Sequence, residues 1–254
     1  MKTKVVQDDA RGGAGGDWVI RTVGLGKRYG DVHALESLDL VVRRHSVVGL
    51  LGPNGAGKTT AIKLLLGLVH PTAGAATVFG LDSVRESLAI RARVGYLAQD
   101  PRFYPHLTAR ETLEFTARFF YRGPPTAIAA RVVETLDLVD LADLADRPVG
   151  GLSGGERQRL GIAQTQVNRP DLLILDEPAA ALDPQGRRDV LTLMTRLRAH
   201  TTVFYSTHIL DDVQRVSDRV VILRRGRMIE DAPTSRLLDS GARAYDITVR
   251  GDGP

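Results

Sequence analysis

Residues 52–60, GPNGAGKTT, satisfy the spacing G-x-x-x-x-G-K-[ST]. A continuous apolar run, SVVGLL at 46–51, precedes them, and AIKLLLGLV at 61–69 follows with helical spacing. A buried strand, a glycine loop and a helix are the context this pattern requires, and the chemistry is phosphate binding. Gly52, Gly55 and Gly57 let the backbone curl around Pro53, Asn54 and Ala56 so that successive amides point inward at an anion. The following helix, entered through Thr59 and Thr60, turns its positive end on the same anion. Lys58 is placed to neutralise the β- and γ-phosphates, and Thr59 to give Mg²⁺ a hydroxyl ligand.

A second constellation is LLILDEP at 172–178, a buried strand that delivers Asp176 to its carboxyl end, beside the phosphate loop. Asp176 is expected to hold Mg²⁺ through its water shell. Glu177 points elsewhere, where a carboxylate beyond the γ-phosphate polarises an attacking water. An Asp-Glu pair taken alone is an ordinary strand end, and the phosphate loop is what gives this one meaning. In LSGGERQ, residues 152–158, Ser153 stands at a helix start with Gly154 and Gly155 exposing backbone amides, which makes a second anion-binding helix end. The tetrapeptide alone reads equally well as a serine cap with flexible glycines.

The elements that must position these residues follow from the hydrophobic pattern. WVIRTV at 18–23 and LDLVV at 38–42 fit two antiparallel edge strands. Further strands fall at 46–51, 94–100, 172–176, 202–206 and 219–223, alternating in the second half with helices at 185–199 and 209–215. That alternation predicts an α/β fold with a mainly parallel sheet covered by helices. Between 100 and 165 ARETLEFTARFF and AIAARVVETLDLV carry helical periodicity with no strand between them, so the middle of the chain is a helical insert. The expected organisation is a flexible tail over 1–17, one domain over 18–240 and a short extension over 241–254. YDITV at 245–249 is a lone strand candidate within that extension.

Composition narrows the partners. No apolar run approaches the roughly 20 residues needed to span a bilayer, and the N-terminal residues lack the apolar core of a secretory signal, so the cytoplasm is the expected address. Cysteine is absent, which excludes disulfides, thiolate metal sites and a cysteine nucleophile. Thirty-four basic against thirty acidic residues leave a net charge of +4, and aromatic residues make up only 5%. Without basic-aromatic interleaving there is little stacking surface, and no direct nucleic-acid partner is expected.

The order and spacing of GPNGAGKTT, LSGGERQ and LLILDEP resemble the ABC ATPase family, and further landmarks extend the resemblance from about residue 19 to 238. It implies a P-loop NTPase core with an antiparallel β subdomain and an inserted α-helical subdomain. It also implies ATP and Mg²⁺ as ligands and ATP hydrolysis as the activity. LSGGERQ becomes the signature motif, whose Ser153, Gly154, Gly155 and Glu156 contact ATP held by the opposite subunit of a homo- or heterodimer. Tyr29 resembles the aromatic that stacks on adenine, although a tyrosine beside a glycine turn is by default a packing residue. Gln99 matches the glutamine loop that senses Mg²⁺, Asp183 the loop that crosses the dimer interface, and His208 the histidine that contacts the γ-phosphate and orients water. Catalysis then falls to Lys58, Glu177 and His208, and metal binding to Thr59, Gln99 and Asp176. Two departures stand out: Glu156 replaces the usual signature glutamine, and Ala179 and Ala180 replace small polar residues before the interface aspartate.

Rival readings leave marks that this chain lacks. NRPD at 168–171 is a poor guanine-reading motif, since its lysine is missing and it precedes the Asp176 strand. Soluble relatives that act on nucleic acid or ribosomes carry long heptad coiled coils or two cores, neither of which is present. The segment QDPRFYPHLTARETLEF and the stretch around residues 164–184 look most like exporter ATPases for drugs, antibiotics or polysaccharides. An integral membrane subunit is therefore the expected partner, gripped near residues 103–113 at the cytoplasmic face of the membrane.

Overall fold

Apolar runs with no polar alternation must be covered on both faces. In the computed structural model, which describes residues 17–239, they form β4 (Val47–Leu51) and β8 (Leu172–Asp176), every residue of both buried. Around them lie β1 (Trp18–Tyr29), β2 (Val32–Leu38), β3 (Val41–Arg43), β5 (Ala73–Val78), β6 (Leu81–Asp82) and β7 (Val94–Leu97). The remaining strands are β9 (Thr202–Thr207), β10 (Arg219–Arg224) and β11 (Arg227–Pro233). Helices are α1 (Lys58–Leu65), α2 (Ser87–Arg91), α3 (Ala109–Ala117), α4 (Pro125–Leu138), α5 (Gly154–Gln166), α6 (Pro184–Leu197), α7 (Leu210–Val216) and α8 (Thr234–Asp239). The glycine-rich tail and the strand candidate at 245–249 fall outside the described residues.

One mixed sheet runs β6-β5-β1-β2-β11-β10-β4-β9-β8-β7. Strands β10, β4, β9, β8 and β7 are mutually parallel, with Leu50 beside Ser206 and Leu175 beside Tyr205. Alternation along β8 and β9 divides the interior in two. Leu173, Leu175, Val203 and Tyr205 face α5, α6 and the helical insert, while Leu172, Ile174 and Phe204 face α1 and the antiparallel strands. Within the insert, the Arg131 guanidinium of α4 donates to the Gln166 carbonyl and to that of Val167 at 2.9 Å, and the Tyr121 hydroxyl to the latter at 2.8 Å. These bonds satisfy carbonyls that the end of α5 leaves open.

The antiparallel part differs from the sequence-based expectation. Residues 38–42 do not make one strand: Leu38 ends β2, and β3 begins only at Val41. Nor is β1 an edge, since it pairs with β2, β3 and β5. A single register pair, Arg227 with Ser37, joins β2 to β11 and hence the antiparallel strands to the parallel ones. The turn at Gly226 reinforces this seam. The Glu36 amide donates to the Gly226 carbonyl at 2.8 Å, and the Gly226 amide to the Ala56 carbonyl at 3.0 Å. With φ +77° and a Cβ that would lie 3.2 Å from the His33 and Ala34 carbonyl oxygens, the position calls for glycine.

Candidate nucleotide site

Strand β4 ends at Leu51, and the chain turns through residues 52–57 into α1. The Gly52 amide donates to the Thr207 carbonyl (3.1 Å) and the Ala56 amide to that of Pro53 (3.1 Å), while Asn54 and Gly55 stay exposed. Gly57 caps α1 at φ +105°, where a Cβ would lie 2.4 Å from the Ala34 carbonyl oxygen. Helix α1 therefore starts at Lys58, and the first-turn amides of Lys58, Thr59 and Thr60 are left for a ligand.

Lys58 Nζ is turned into this loop. It donates to the carbonyls of Gly52 (2.6 Å) and Pro53 (3.1 Å) and lies 3.1 Å from Glu177 Oε1, both side chains only 6% exposed. The neighbouring Thr59 hydroxyl donates to Asp176 Oδ2 at 2.8 Å. Glu177 is held in an unusual backbone conformation, φ 52°, and its amide donates to Ser206 Oγ at 2.9 Å. That serine donates in turn to Asp176 Oδ1 at 2.5 Å. His208, just past β9, places Nδ1 2.9 Å from Glu177 Oε2. Lys58, Thr59, Asp176, Glu177 and His208 thus form one connected cluster at the carboxyl ends of β4, β8 and β9. Burial, and then the charge of Asp176, push the Tyr96 phenol on the neighbouring β7 above its ordinary range.

Ser206 was not among the sequence candidates. Its signal is the polar residue that ends the buried run TVFYS, where a hydroxyl inside a sheet needs partners.

Other candidates lie apart from the cluster. Gln99 is exposed two residues beyond β7, which runs beside the Asp176 strand, and no hydrogen bond among the described residues ties it there. Tyr29 ends β1 at 46% exposure, with Lys27 Nζ 4.9 Å from its ring centre, so the ring is displayed rather than packed. Asp183 caps α6, accepting from the Gly186 amide at 2.8 Å. Within residues 103–113, Leu113 and Phe103 pack into the interior, while Tyr104 joins Phe115 and Phe119, which lie just beyond that stretch, in an exposed aromatic cluster with edge-to-face contacts.

Ser153 caps α5, whose start is exposed. Its amide donates to Glu156 Oε2 (2.6 Å), and the Glu156 amide to Ser153 Oγ (3.2 Å), completing a capping box. The apparent departure at Glu156 therefore has a local job, closing the capping box, that is open to glutamine as well. Among the described residues no hydrogen bond or ion pair links Ser153, Gly154, Gly155 or Glu156 to the phosphate loop. The helix does reach the strand-end segment, since Gln158 Nε2 donates to the Pro178 carbonyl at 2.7 Å.

The Ser153 backbone hydrogen bond holds the Glu156 carboxyl below its ordinary range. A depressed folded value means that the stabilisation is present above the unfolded value, about 4.3, and is lost as pH falls through the folded one. Glu156→Ala is expected to cost on the order of 0.5 kcal/mol at neutral pH in urea unfolding. That cost shrinks in acid, while Glu156→Gln removes its pH dependence.

Comparison with known proteins agrees with this architecture. A family profile described as ABC transporter matches residues 35–180. The daunorubicin resistance ATP-binding protein DrrA3 of Streptomyces coeruleorubidus is 39% identical over 93% of this chain and 75% of its own length. A Nod factor export ATP-binding protein I of Burkholderia orbicola is 38% identical over 90% of this chain and 75% of its own. Among solved structures, the dimeric post-hydrolysis state of an ATP-binding cassette bound to ADP and Pi superposes with a TM-score of 0.76 at 26% identity. That match covers 85% of this chain and 98% of the other. With its glycine loop, strand-end carboxylates and capped α5 in one α/β frame, the chain belongs to the ABC transporter ATP-binding proteins and is an ATPase.

Proposed function

We propose that two copies of this chain, or one copy and a close paralogue, close around two ATP–Mg²⁺ complexes and so drive the membrane subunits of an exporter. Each nucleotide is held by Lys58 of one chain and Ser153 of the other. The observation that carries this reading is the division of the site. Lys58, Asp176, Glu177 and His208 converge, whereas the second phosphate-binding helix start is exposed and has no bond to them. The dimeric form of the related cassette supports the same arrangement.

Magnesium fits the donors present. Thr59 and Asp176 bring one hydroxyl and one carboxylate together, and among the described residues no three acidic or histidine side chains are arranged to hold a metal ion by themselves. Mg²⁺ takes one or two protein ligands and completes its shell with water and phosphate oxygens. When bound, it neutralises charge on the β- and γ-phosphates. Gln99 follows β7, the strand beside β8, and is assigned to the same metal region.

Lys58 Nζ rests 3.1 Å from Glu177 Oε1. On ATP binding the ammonium exchanges the Gly52 and Pro53 carbonyls and Glu177 for phosphate oxygens, and Glu177 Oε1 is released to accept a hydrogen bond from water. Glu177 takes the water proton as oxygen attacks the γ-phosphorus, and ADP leaves. His208 stays on Oε2 and orients the carboxylate and the water. Tyr29 stacks on adenine, and Asp183 contributes the interface loop.

Tyr104, Phe115 and Phe119 suit a surface that grips the membrane subunit, since isolated exposed aromatics are common but a T-shaped cluster is a patch. Among the described residues no helix is long and apolar enough to cross a membrane. The proposal places attachment at the cytoplasmic face on that subunit. The relatives' roles in drug resistance and export favour an exporter.

Mixing variants tests the shared site. Lys58→Ala and Ser153→Arg chains are each expected to be inactive. Their equimolar mixture should recover about a quarter of wild-type phosphate release, because half the dimers carry one intact composite site. A mixture no more active than its components sinks the shared site. Co-purification of a polytopic protein from detergent-solubilised membranes tests the partner, and co-purifying DNA or ribosomes would overturn it.

A further inference from the structure

Thr207, the last residue of β9, organises the backbone on both sides of His208. Its hydroxyl donates to Asp212 Oδ2 (3.2 Å) and accepts from the Ile209 amide (3.1 Å), while its carbonyl accepts from the Gly52 amide (3.1 Å). Ile209 occupies the cap position of α7, which has no side-chain cap of its own. The Thr207 hydroxyl thus fixes where the helix leaves the strand, and with it the direction of the intervening His208 side chain. On α7, Asp212 is 1% exposed, and its other oxygen accepts from Arg187 Nε at 2.7 Å. A carboxylate buried that far needs its partners, and they come from two different elements.

Arg187 lies one turn into α6. Its amide donates to the Asp183 carbonyl at 2.9 Å, beside the Gly186 bond that caps the same helix. Asp183, Arg187, Asp212 and Thr207 therefore make an unbroken hydrogen-bonded run. It links the loop before α6 to the residue that touches Glu177. We propose that Thr207, Asp212 and Arg187 are positioning residues for ATP hydrolysis: they hold His208 against Glu177 and tie its placement to the Asp183 loop. This rests on the role given to His208 above. None of the three touches the Lys58–Glu177 cluster with its own side chain, and Thr207 meets the phosphate loop only through its backbone carbonyl.

A double-mutant cycle with the full-length chain, ATP and Mg²⁺ tests it. Thr207→Val removes the hydroxyl at nearly constant volume. It should lower kcat about 10-fold or more while KM for ATP moves less than about 2-fold, because the Gly52 bond is made by backbone. Thr207→Ser restores the hydroxyl and should recover most of the rate. In a His208→Ala background, Thr207→Val should change kcat by less than about 2-fold, since there is no longer a side chain to misplace. Should Thr207→Val unfold, Asp212→Asn carries the same comparison, with melting temperature recorded for every variant. Equal losses of kcat in both backgrounds, with His208→Ala itself slow, overturn the positioning role alone. Wild-type turnover by His208→Ala removes the role assigned to His208 and this inference with it.

Discussion

A Glu177→Gln chain binds ATP with near wild-type affinity and releases phosphate about 10²–10⁴ times more slowly. The substitution conserves shape, and the amide can still meet His208, but it cannot take a proton from water. The positive φ at Glu177 and the Ser206 bond to its amide place the carboxylate, and both are backbone features that survive the change. Loss of turnover without loss of binding is therefore the expected signature. With ATP and Mg²⁺ the variant should elute from gel filtration as a dimer, and with ADP as a monomer. Wild-type turnover would refute the role given to Glu177, and a monomer under both conditions would count against the closed pair.

Lys58→Met has the second large effect, and it acts in two ways. Losing charge-assisted bonds to phosphate, worth about 1.5–3 kcal/mol each, weakens ATP binding by about 10- to 100-fold in equilibrium dialysis. The same change leaves Glu177 without its ammonium in a site where both side chains are 6% exposed, and it lowers nucleotide-free stability by up to about 3 kcal/mol. A second substitution separates the two effects. Lys58→Met combined with Glu177→Gln should regain nucleotide-free stability in denaturant titrations and stay inactive, because the unpaired charge is gone while the phosphate contact is not restored. A double variant no more stable than Lys58→Met would show that the pair does not hold the nucleotide-free site.

What could be read in advance follows from how each element is covered. Strand β8 matches the apolar run at 172–176 because a strand buried on both faces leaves an uninterrupted signature. The same reasoning finds β4, β7, β9 and β10 within a few residues. It misses β2, β5 and β11, where alanine, glycine and charged residues face solvent on one side and pairing is set by neighbours distant in sequence. Residue types at the phosphate loop announce their chemistry. That Lys58 rests against Glu177, or that Ser206 bridges Asp176 and the Glu177 amide, depends on β4, β8 and β9 lying side by side. Two structural roles were nonetheless open to a sequence reading. S-x-x-E at 153–156 is a capping-box pattern, and Asp183 before Pro184 is a helix start.

The narrow seam between β2 and β11 has a mechanical implication. Tyr29 sits on one bank of it and Lys58 on the other, with the Gly226 turn as the suture. A nucleotide whose base rests on the first bank and whose phosphates rest on the second acts as a cross-brace over the weakest join in the sheet. On the proposed nucleotide placement, binding would tie the antiparallel flank to the parallel strands by a second route beside the Arg227–Ser37 pair, and loss of the nucleotide would remove that tie.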